Sequence, residues 1–288
     1  MSRGEPFSEL SGVWGRPAWT PDGRRIFFSR EHLDPGQLMI ISAAGDRRRR
    51  LTPRNRLAET EPSWSPDGRT VAFTGWVEGE RGGPDVYLIH ADGTRMRRLT
   101  PAAWTTADPT WSPNGKQVVF MRWIKPKWVL FAMPAAGGEA SRIRALDEGN
   151  PAWAPGQSIA VSGIDLLSPA GVFEGRITEP PQWGYDHEPD WAPDGRHFAF
   201  TRVRKGCGPQ CAFSYLTVGE LGSMSAQQTE AEVTSPKWSP DGTRIAAVTY
   251  AEGTLVTMRP DGSDVQVVGA GLLGEFDQGV ELDWGAPR

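Results

Sequence analysis

The chain is poor in cysteine, carries little excess charge and has no long apolar run, and each shortage excludes something. Cys207 and Cys211 are the only cysteines among 288 residues, so no disulfide framework of the kind that staples small secreted domains is present. Three residues of a Gly-Pro loop separate them. They can close a small disulfide in an oxidising compartment or stay a thiol pair, and no other soft ligands sit nearby in sequence to complete a metal site. No stretch approaches the roughly 18 apolar residues of a membrane span, which argues against membrane insertion. The opening Met1-Ser2-Arg3-Gly4-Glu5 lacks the apolar segment of a secretion signal. With 31 Lys and Arg against 35 Asp and Glu, the net charge is −4, and no positive field exists to draw in nucleic acid. The one basic run, Arg47 to Arg50, fits a solvated edge strand. Signatures of catalysis are missing too: there is no Gly-x-Ser-x-Gly elbow, His-Glu-x-x-His pair, phosphate-binding loop or Cys-x-x-Cys. His32, His90 and His197 have no ligand-like spacing.

What the chain has in quantity is Pro (25), Gly (34) and Trp (13), and these fall into a repeat. Arg16-Pro17-Ala18-Trp19-Thr20-Pro21-Asp22-Gly23 returns as Glu61 to Gly68, Asp108 to Gly115, Asn150 to Gly156, Glu188 to Gly195 and Ser235 to Gly242. Successive repeat tryptophans (Trp19, Trp64, Trp111, Trp153, Trp191, Trp238) lie 45, 47, 42, 38 and 47 residues apart, the length of one four-stranded propeller blade. Pro, Asp or Asn, and Gly in that order supply the dihedrals of a tight turn, so each copy opens a hairpin. Second strands follow at Arg25 to Phe28, Thr70 to Phe73, Gln117 to Phe120, His197 to Phe200 and Arg244 to Val248. Third strands are expected at Leu38 to Ile41, Val86 to Ile89, Trp128 to Ala132, Leu166-Leu167, Tyr215 to Val218 and Leu255 to Met258. Fourth strands close on Arg50-Leu51-Thr52, Arg98-Leu99-Thr100, Ile143, Ile177-Thr178 and Val267-Val268. The fourth copy lacks the turn Asp, and its second strand, Ile159 to Val161, runs almost directly into its third. The expectation is an all-β fold: one domain over residues 1–288, a six-bladed β-propeller of four-stranded antiparallel blades, acting as a monomer. Glu281-Leu282-Asp283-Trp284-Gly285, 46 residues beyond Trp238 at its tryptophan, reads as a strand closing the ring, with a stunted seventh blade as the alternative.

Those six Pro-x-Trp-x-Pro copies, from about Arg16 to Val268, resemble the TolB-like propeller family. The resemblance implies the fold and a compartment outside the cytoplasm, periplasmic or secreted, while the absent leader points the other way. TolB itself has a further N-terminal domain and related peptidases a hydrolase domain; neither has a counterpart in this sequence, so the resemblance carries no particular cellular role.

Blade geometry then sorts the remaining residues. Pro-Asp-Gly turns fall on one face; second-to-third loops and inter-blade connections fall on the other. The turns recur in every blade and are structural. Trp14, Trp104 and Trp183 lead into inner strands, and Trp76 and Trp123 each fall 12 residues after a repeat tryptophan, in second-to-third loops, so five extra tryptophans map to the face opposite the turns; Trp128 is the sixth. They either cap blade ends or line an aromatic depression at the channel mouth. The residue three before each repeat tryptophan, where the inner strand begins, reads Arg16, Glu61, Asp108, Asn150, Glu188 and Ser235. Carboxylates crowded there repel one another unless a cation sits among them, and Arg16 is the candidate. Otherwise Glu61, Asp108 and Glu188 are the candidate ligands of a Ca²⁺ ion, with no other cofactor expected. Asp186-His187-Glu188 is the most polar cluster near the mouth.

The expected ligand-binding set is therefore Arg16, Glu61, Trp76, Trp104, Asp108, Trp123, Asn150, Trp183, Asp186, His187 and Glu188. The leading reading is a non-catalytic module that binds a protein, peptide or small molecule and no nucleic acid. Its alternative is a lyase or hydrolase with His187 as general base beside Glu188, in an acidic site that in one version depends on a divalent metal.

Overall fold

The computed structural model describes residues 16–30, 36–53, 56–77, 82–146, 149–156, 158–161, 164–180, 184–205, 212–223, 226–249 and 253–269. Trp14, His32, Trp183, Cys207, Cys211 and the closing segment Glu281 to Gly285 lie outside them. Among the described residues every regular element is a strand, and no helix is long and apolar enough to cross a membrane.

Six four-stranded antiparallel sheets follow one another along the chain. The first is Ala18–Trp19 (β1), Arg25–Arg30 (β2), Gln37–Ser42 (β3) and Arg49–Arg50 (β4). The second is Leu57–Trp64 (β5), Thr70–Val77 (β6), Asp85–His90 (β7) and Arg97–Arg98 (β8). The third is Thr106–Trp111 (β9), Gln117–Ile124 (β10), Lys127–Pro134 (β11) and Ser141–Leu146 (β12). The fourth is Ala152–Trp153 (β13), Ile159–Val161 (β14), Asp165–Leu167 (β15) and Phe173–Arg176 (β16). The fifth is Gly184–Trp191 (β17), His197–Lys205 (β18), Ala212–Glu220 (β19) and Ala226–Gln228 (β20). The sixth is Val233–Trp238 (β21), Ile245–Thr249 (β22), Leu255–Met258 (β23) and Gln266–Gly269 (β24).

Each hairpin begins as its turn chemistry requires. Gly23, Gly68, Gly115, Gly195 and Gly242 adopt φ between 66° and 71°, a region a Cβ disfavours. In the second blade Asp67 accepts the Ser65 hydroxyl at 2.6 Å and the Arg69 amide at 3.1 Å, and Asp241 repeats the arrangement with Ser239 and Thr243. The turns also touch: an added Cβ on Gly68 would lie 3.4 Å from Pro21, and one on Gly23 would lie 3.8 Å from Pro240, so contact continues from the last blade to the first.

The second strand of each blade is buried on both faces, because a neighbouring blade covers each one. Phe27, Phe73, Phe120, Phe198 and Phe200 are inaccessible to solvent. Apolar side chains cluster at every junction between consecutive blades, including the seam where Trp19, Ile26, Phe28, Met39 and Ile41 of the first blade meet Ala246, Val248, Leu255 and Val268 of the sixth. At roughly 1.5–3 kcal/mol per large apolar side chain, these junctions are the main favourable term holding the ring together. The Trp19 indole N–H also donates across the seam to the Lys237 carbonyl at 3.0 Å.

The structure moves some expected boundaries. β6 and β10 run eight residues each, so Trp76 and Trp123 lie in strands rather than in loops. Leu51-Thr52 and Leu99-Thr100 fall just past β4 and β8, because the threonine hydroxyls turn to buried carboxylates: Thr52 donates to Glu59 at 2.6 Å and Thr100 to Asp85 at 3.2 Å. In the fourth blade the outer strand is Phe173–Arg176, ahead of Ile177-Thr178. The abrupt connection within that blade is present, with three residues between β14 and β15.

Candidate functional site

The channel is shaped by proline. In β5, β9, β17 and β21 the residue two before the repeat tryptophan is Pro62, Pro109, Pro189 or Pro236, which has no N–H for the ladder with the second strand. Pairing skips it in each: Thr60 faces Thr74 and the next pair is Ser63 with Ala72, and equivalent slips occur in the third, fifth and sixth blades. The bulge is absorbed by the residue before the proline, which adopts a left-handed backbone: Glu61 (φ 55°), Asp108 (54°), Glu188 (55°) and Ser235 (54°); Asn150 (63°), just ahead of β13, adopts the same conformation without a bulge. Such a conformation costs roughly 1–2 kcal/mol for a residue with a Cβ, and it turns the side chain into the channel. In β5 and β17 the strand begins four residues before this position, so the ring of polar residues crosses the body of the channel rather than its rim.

Arg16 sits among the carboxylates. Its guanidinium pairs with Asp108 and lies 3.6 Å from Glu61 and 3.5 Å from Glu188, spanning four blades. Each carboxylate also accepts from the backbone of the next blade's ring residue. Glu61 takes the Asp108 amide at 2.8 Å, Asp108 the Asn150 amide at 3.2 Å, and Glu188 the Ser235 amide at 2.9 Å. Thr74 donates to Glu61 at 2.6 Å; Thr201 and the Ser235 hydroxyl donate to Glu188.

The two glutamates respond in opposite senses. Burial and the neighbouring Asp108 charge push the Glu61 carboxyl up to about 7, against Arg16 and its hydrogen bonds. Burial also works to raise Glu188, but His187, Arg16 and the two Ser235 donors outweigh it and leave this carboxyl below its usual range. Burial opposes the Arg16 charge, and Asp108, Glu61 and Glu188 together overcome it, holding the guanidinium above its usual range.

Between this ring and the Pro-Asp-Gly turns lies a cavity of about 350 Å³. Its second layer comes from the residue just before each repeat tryptophan: Ala18, Ser63, Thr110, Ala152, Asp190 and Lys237. Lys237 lies 3.1 Å from Asp190, which also accepts the Trp238 amide at 2.8 Å; burial raises the Asp190 carboxyl above its usual range. Sequence reasoning missed this pair, although the same column comparison, two residues closer to the tryptophan, would have shown it.

Of the expected site residues, Arg16, Glu61, Asp108, Asn150 and Glu188 come together in this lining. Asp186 does not join them: it is buried under a two-pronged pair with Arg202, at 2.8 Å on both oxygens. His187 Nδ1 lies 3.7 Å from Glu188, and its ring leans on Tyr185. Trp104 packs on Phe120 and Phe131 beneath Arg122, whose guanidinium carbon is 3.6 Å from the indole centroid. Trp123 meets Trp128 edge-on at 5.3 Å, and Trp76 is half-buried opposite Ala58. None of the three lines the cavity; its aromatic walls are the repeat tryptophans 19, 64, 153, 191 and 238. Where a cation would sit among Glu61, Asp108 and Glu188, the guanidinium already stands, and among the described residues no group of three or more His, Cys, Asp or Glu is arranged to hold a metal.

A family model described as the TolB beta propeller domain matches residues 2–166. No curated protein sequence matches the chain. Among solved structures, an oligogalacturonate lyase in complex with manganese is similar at 14% identity and a TM-score of 0.60, over 88% of this chain and 76% of that one. The oligogalacturonate lyase of Vibrio parahaemolyticus is similar at 12% identity and 0.59, over 90% and 78%. TolB from Acinetobacter baumannii matches at 19% identity and 0.44, over 85% of this chain; the match spans about half (51%) of that protein.

Proposed function

The chain belongs to the TolB β-propeller family, and we propose that it is a non-catalytic binding module whose channel takes a basic or polar group from a protein, peptide or small ligand. The observation that supports this most is the engagement of the ring: Arg16 and the blade-to-blade amide bonds occupy Glu61, Asp108 and Glu188 as structural partners. What faces the open cavity is a lysine–aspartate pair, small polar residues and tryptophan edges, which suit recognition. The lining carries more acid than base, which favours a cationic guest. We assign it to the periplasm or the cell exterior, in keeping with its family.

Calorimetric titration with a short lysine-bearing peptide tests this reading. Asp190→Asn is expected to weaken binding about tenfold, as loss of a buried charged acceptor does. Equal binding of an acidic peptide of the same length would refute the assignment.

A second reading, a lyase or hydrolase, is favoured by one observation: Glu61 stands near 7, where a carboxyl can give and take a proton at neutral pH. It predicts turnover of an acidic oligosaccharide that Glu61→Gln abolishes. A Ca²⁺-dependent form of it must also raise the melting temperature in Ca²⁺ over chelator.

A further inference from the structure

The larger described cavity, about 720 Å³, is not in the channel. It lies between the second and third blades on the Pro-Asp-Gly face and arises from a departure in one turn. In the first, second, fourth and sixth blades the turn joining third and fourth strands is closed by a backbone N–H: Ser42 donates to the Asp46 carbonyl, His90 to Thr94, Ser168 to Val172 and Arg259 to Ser263. In the third blade the donor position is Pro134, which has no N–H to give. Tight turns also seat themselves on the preceding blade. A Cβ on Gly45, Gly93, Gly171 or Gly262 would collide with Val268, Leu51, Ile143 or Thr229, whereas Gly137 and Gly138 have nothing within 4 Å. The third blade's turn stands off its neighbour, and the groove fills the space.

The groove runs from the ends of the inner strands (Ser65, Trp111) past Leu88 and Ile89 to Arg97 on the outermost strand, β8. Three strand spacings of about 4.8 Å make a trough about 14 Å long, the reach of about four extended residues. One wall carries His90, Arg95 and Arg97. The one acid in the lining, Asp67, is held by Ser65 and the Arg69 amide. Arg97 crosses to the Ala135 carbonyl. Gly222 of the fifth blade also lacks a seat, but the positions there matching His90, Arg95 and Arg97 are Ser168, Phe173 and Gly175, which carry no cation.

We propose that this inter-blade groove is a second binding site, which takes an extended acidic segment of a partner protein, its carboxylates against Arg95 and Arg97 and an apolar side chain against the part-exposed Ala135. The charge arrangement selects an anion, and the trough's length selects an extended chain. A net charge of −4 for the whole molecule disfavours a polyphosphate backbone.

Random twelve-residue peptides selected by phage display on the immobilised full chain, then resynthesised and measured by fluorescence anisotropy, test the proposal. The expected binders carry Asp or Glu beside an apolar residue, lose roughly fivefold in affinity with Arg95→Ala or Arg97→Ala, and lose more with both. They are also expected to keep their affinity for Asp190→Asn, which separates this groove from the channel. Both arginines are exposed, so the variants should fold, and circular dichroism checks it. Selected peptides without acidic residues, affinities unmoved by the arginine variants, or equal binding of a thymidine oligonucleotide would each overturn the proposal.

Discussion

The Pro-Asp-Gly turns and the channel ring are both repeated around the molecule, but they repeat different things. In the turns backbone and side chains recur together: glycine at φ near 68°, an Asx oxygen capped by a hydroxyl, and a proline of the adjacent turn against the glycine. In the ring only the backbone recurs. Five residues share a left-handed φ of 54–63°, yet they are Glu, Asp, Asn, Glu and Ser. The proline that forces the bulge fixes the conformation and leaves the side chain free to vary. Repetition of chemistry therefore marks scaffold in this protein, and variation on a repeated backbone lets side chains of different blades meet as unlike partners, as Arg16 does with Glu61, Asp108 and Glu188.

Three measurements would break or sharpen that contrast. The largest effect is expected from Arg16→Met, which strands Glu188 and the part-buried Glu61 and Asp108: a loss of about 3–5 kcal/mol by urea denaturation at pH 7.5, smaller at pH 5.5, where Glu61 holds its proton. A loss under 1 kcal/mol would mean that the ring holds no network.

Glu61 supplies the second. Its folded pKa, about 7, lies above the unfolded value of 4.5, so the folded state holds the extra proton between them. Its contribution is fully present below pH 4.5 and is lost as pH rises through 7. Stability should fall there by up to about 1.4 kcal/mol per pH unit, and the corresponding slope should be absent in Glu61→Gln. Parallel wild-type and variant curves would refute the raised pKa.

The smallest effect concerns the turns. Gly23→Ala, Gly68→Ala, Gly115→Ala and Gly195→Ala should each cost about 1 kcal/mol, alike within about 0.5 kcal/mol, because each meets the same positive φ. Unequal costs would show that the turns are less interchangeable than their geometry indicates.

How much of this could be read in the sequence follows from the same contrast. Blade number, turn positions and most strands were legible because local chemistry repeats them, and Arg16 among the carboxylates followed from their shared column. The depth of the ring did not, since the residues preceding it in β5, Leu57 to Thr60, carry no turn signal that would mark where the strand starts. The extra tryptophans misled in another way: Trp104 and Trp123 are spent on Phe120, Phe131 and Trp128, contacts set by packing between strands rather than by order along the chain. Asp186 likewise answers to Arg202, its cross-strand partner in β18. The inter-blade groove hangs on one missing N–H at Pro134, a proline among 25.

The junction clusters have a consequence for handling the protein in pieces. Residues 2–166, the span matched by the family model, end inside the fourth blade, between β14 and the close of β15. Cut there, the chain would be an arc with two raw ends. One would bare Trp19, Ile26 and Phe28, which the sixth blade covers; the other would bare Ala152, Ala160 and Ile164, which the fifth covers. Such an arc would meet its own kind end to end, so half of this molecule is expected to be an aggregating fragment rather than half of a working one.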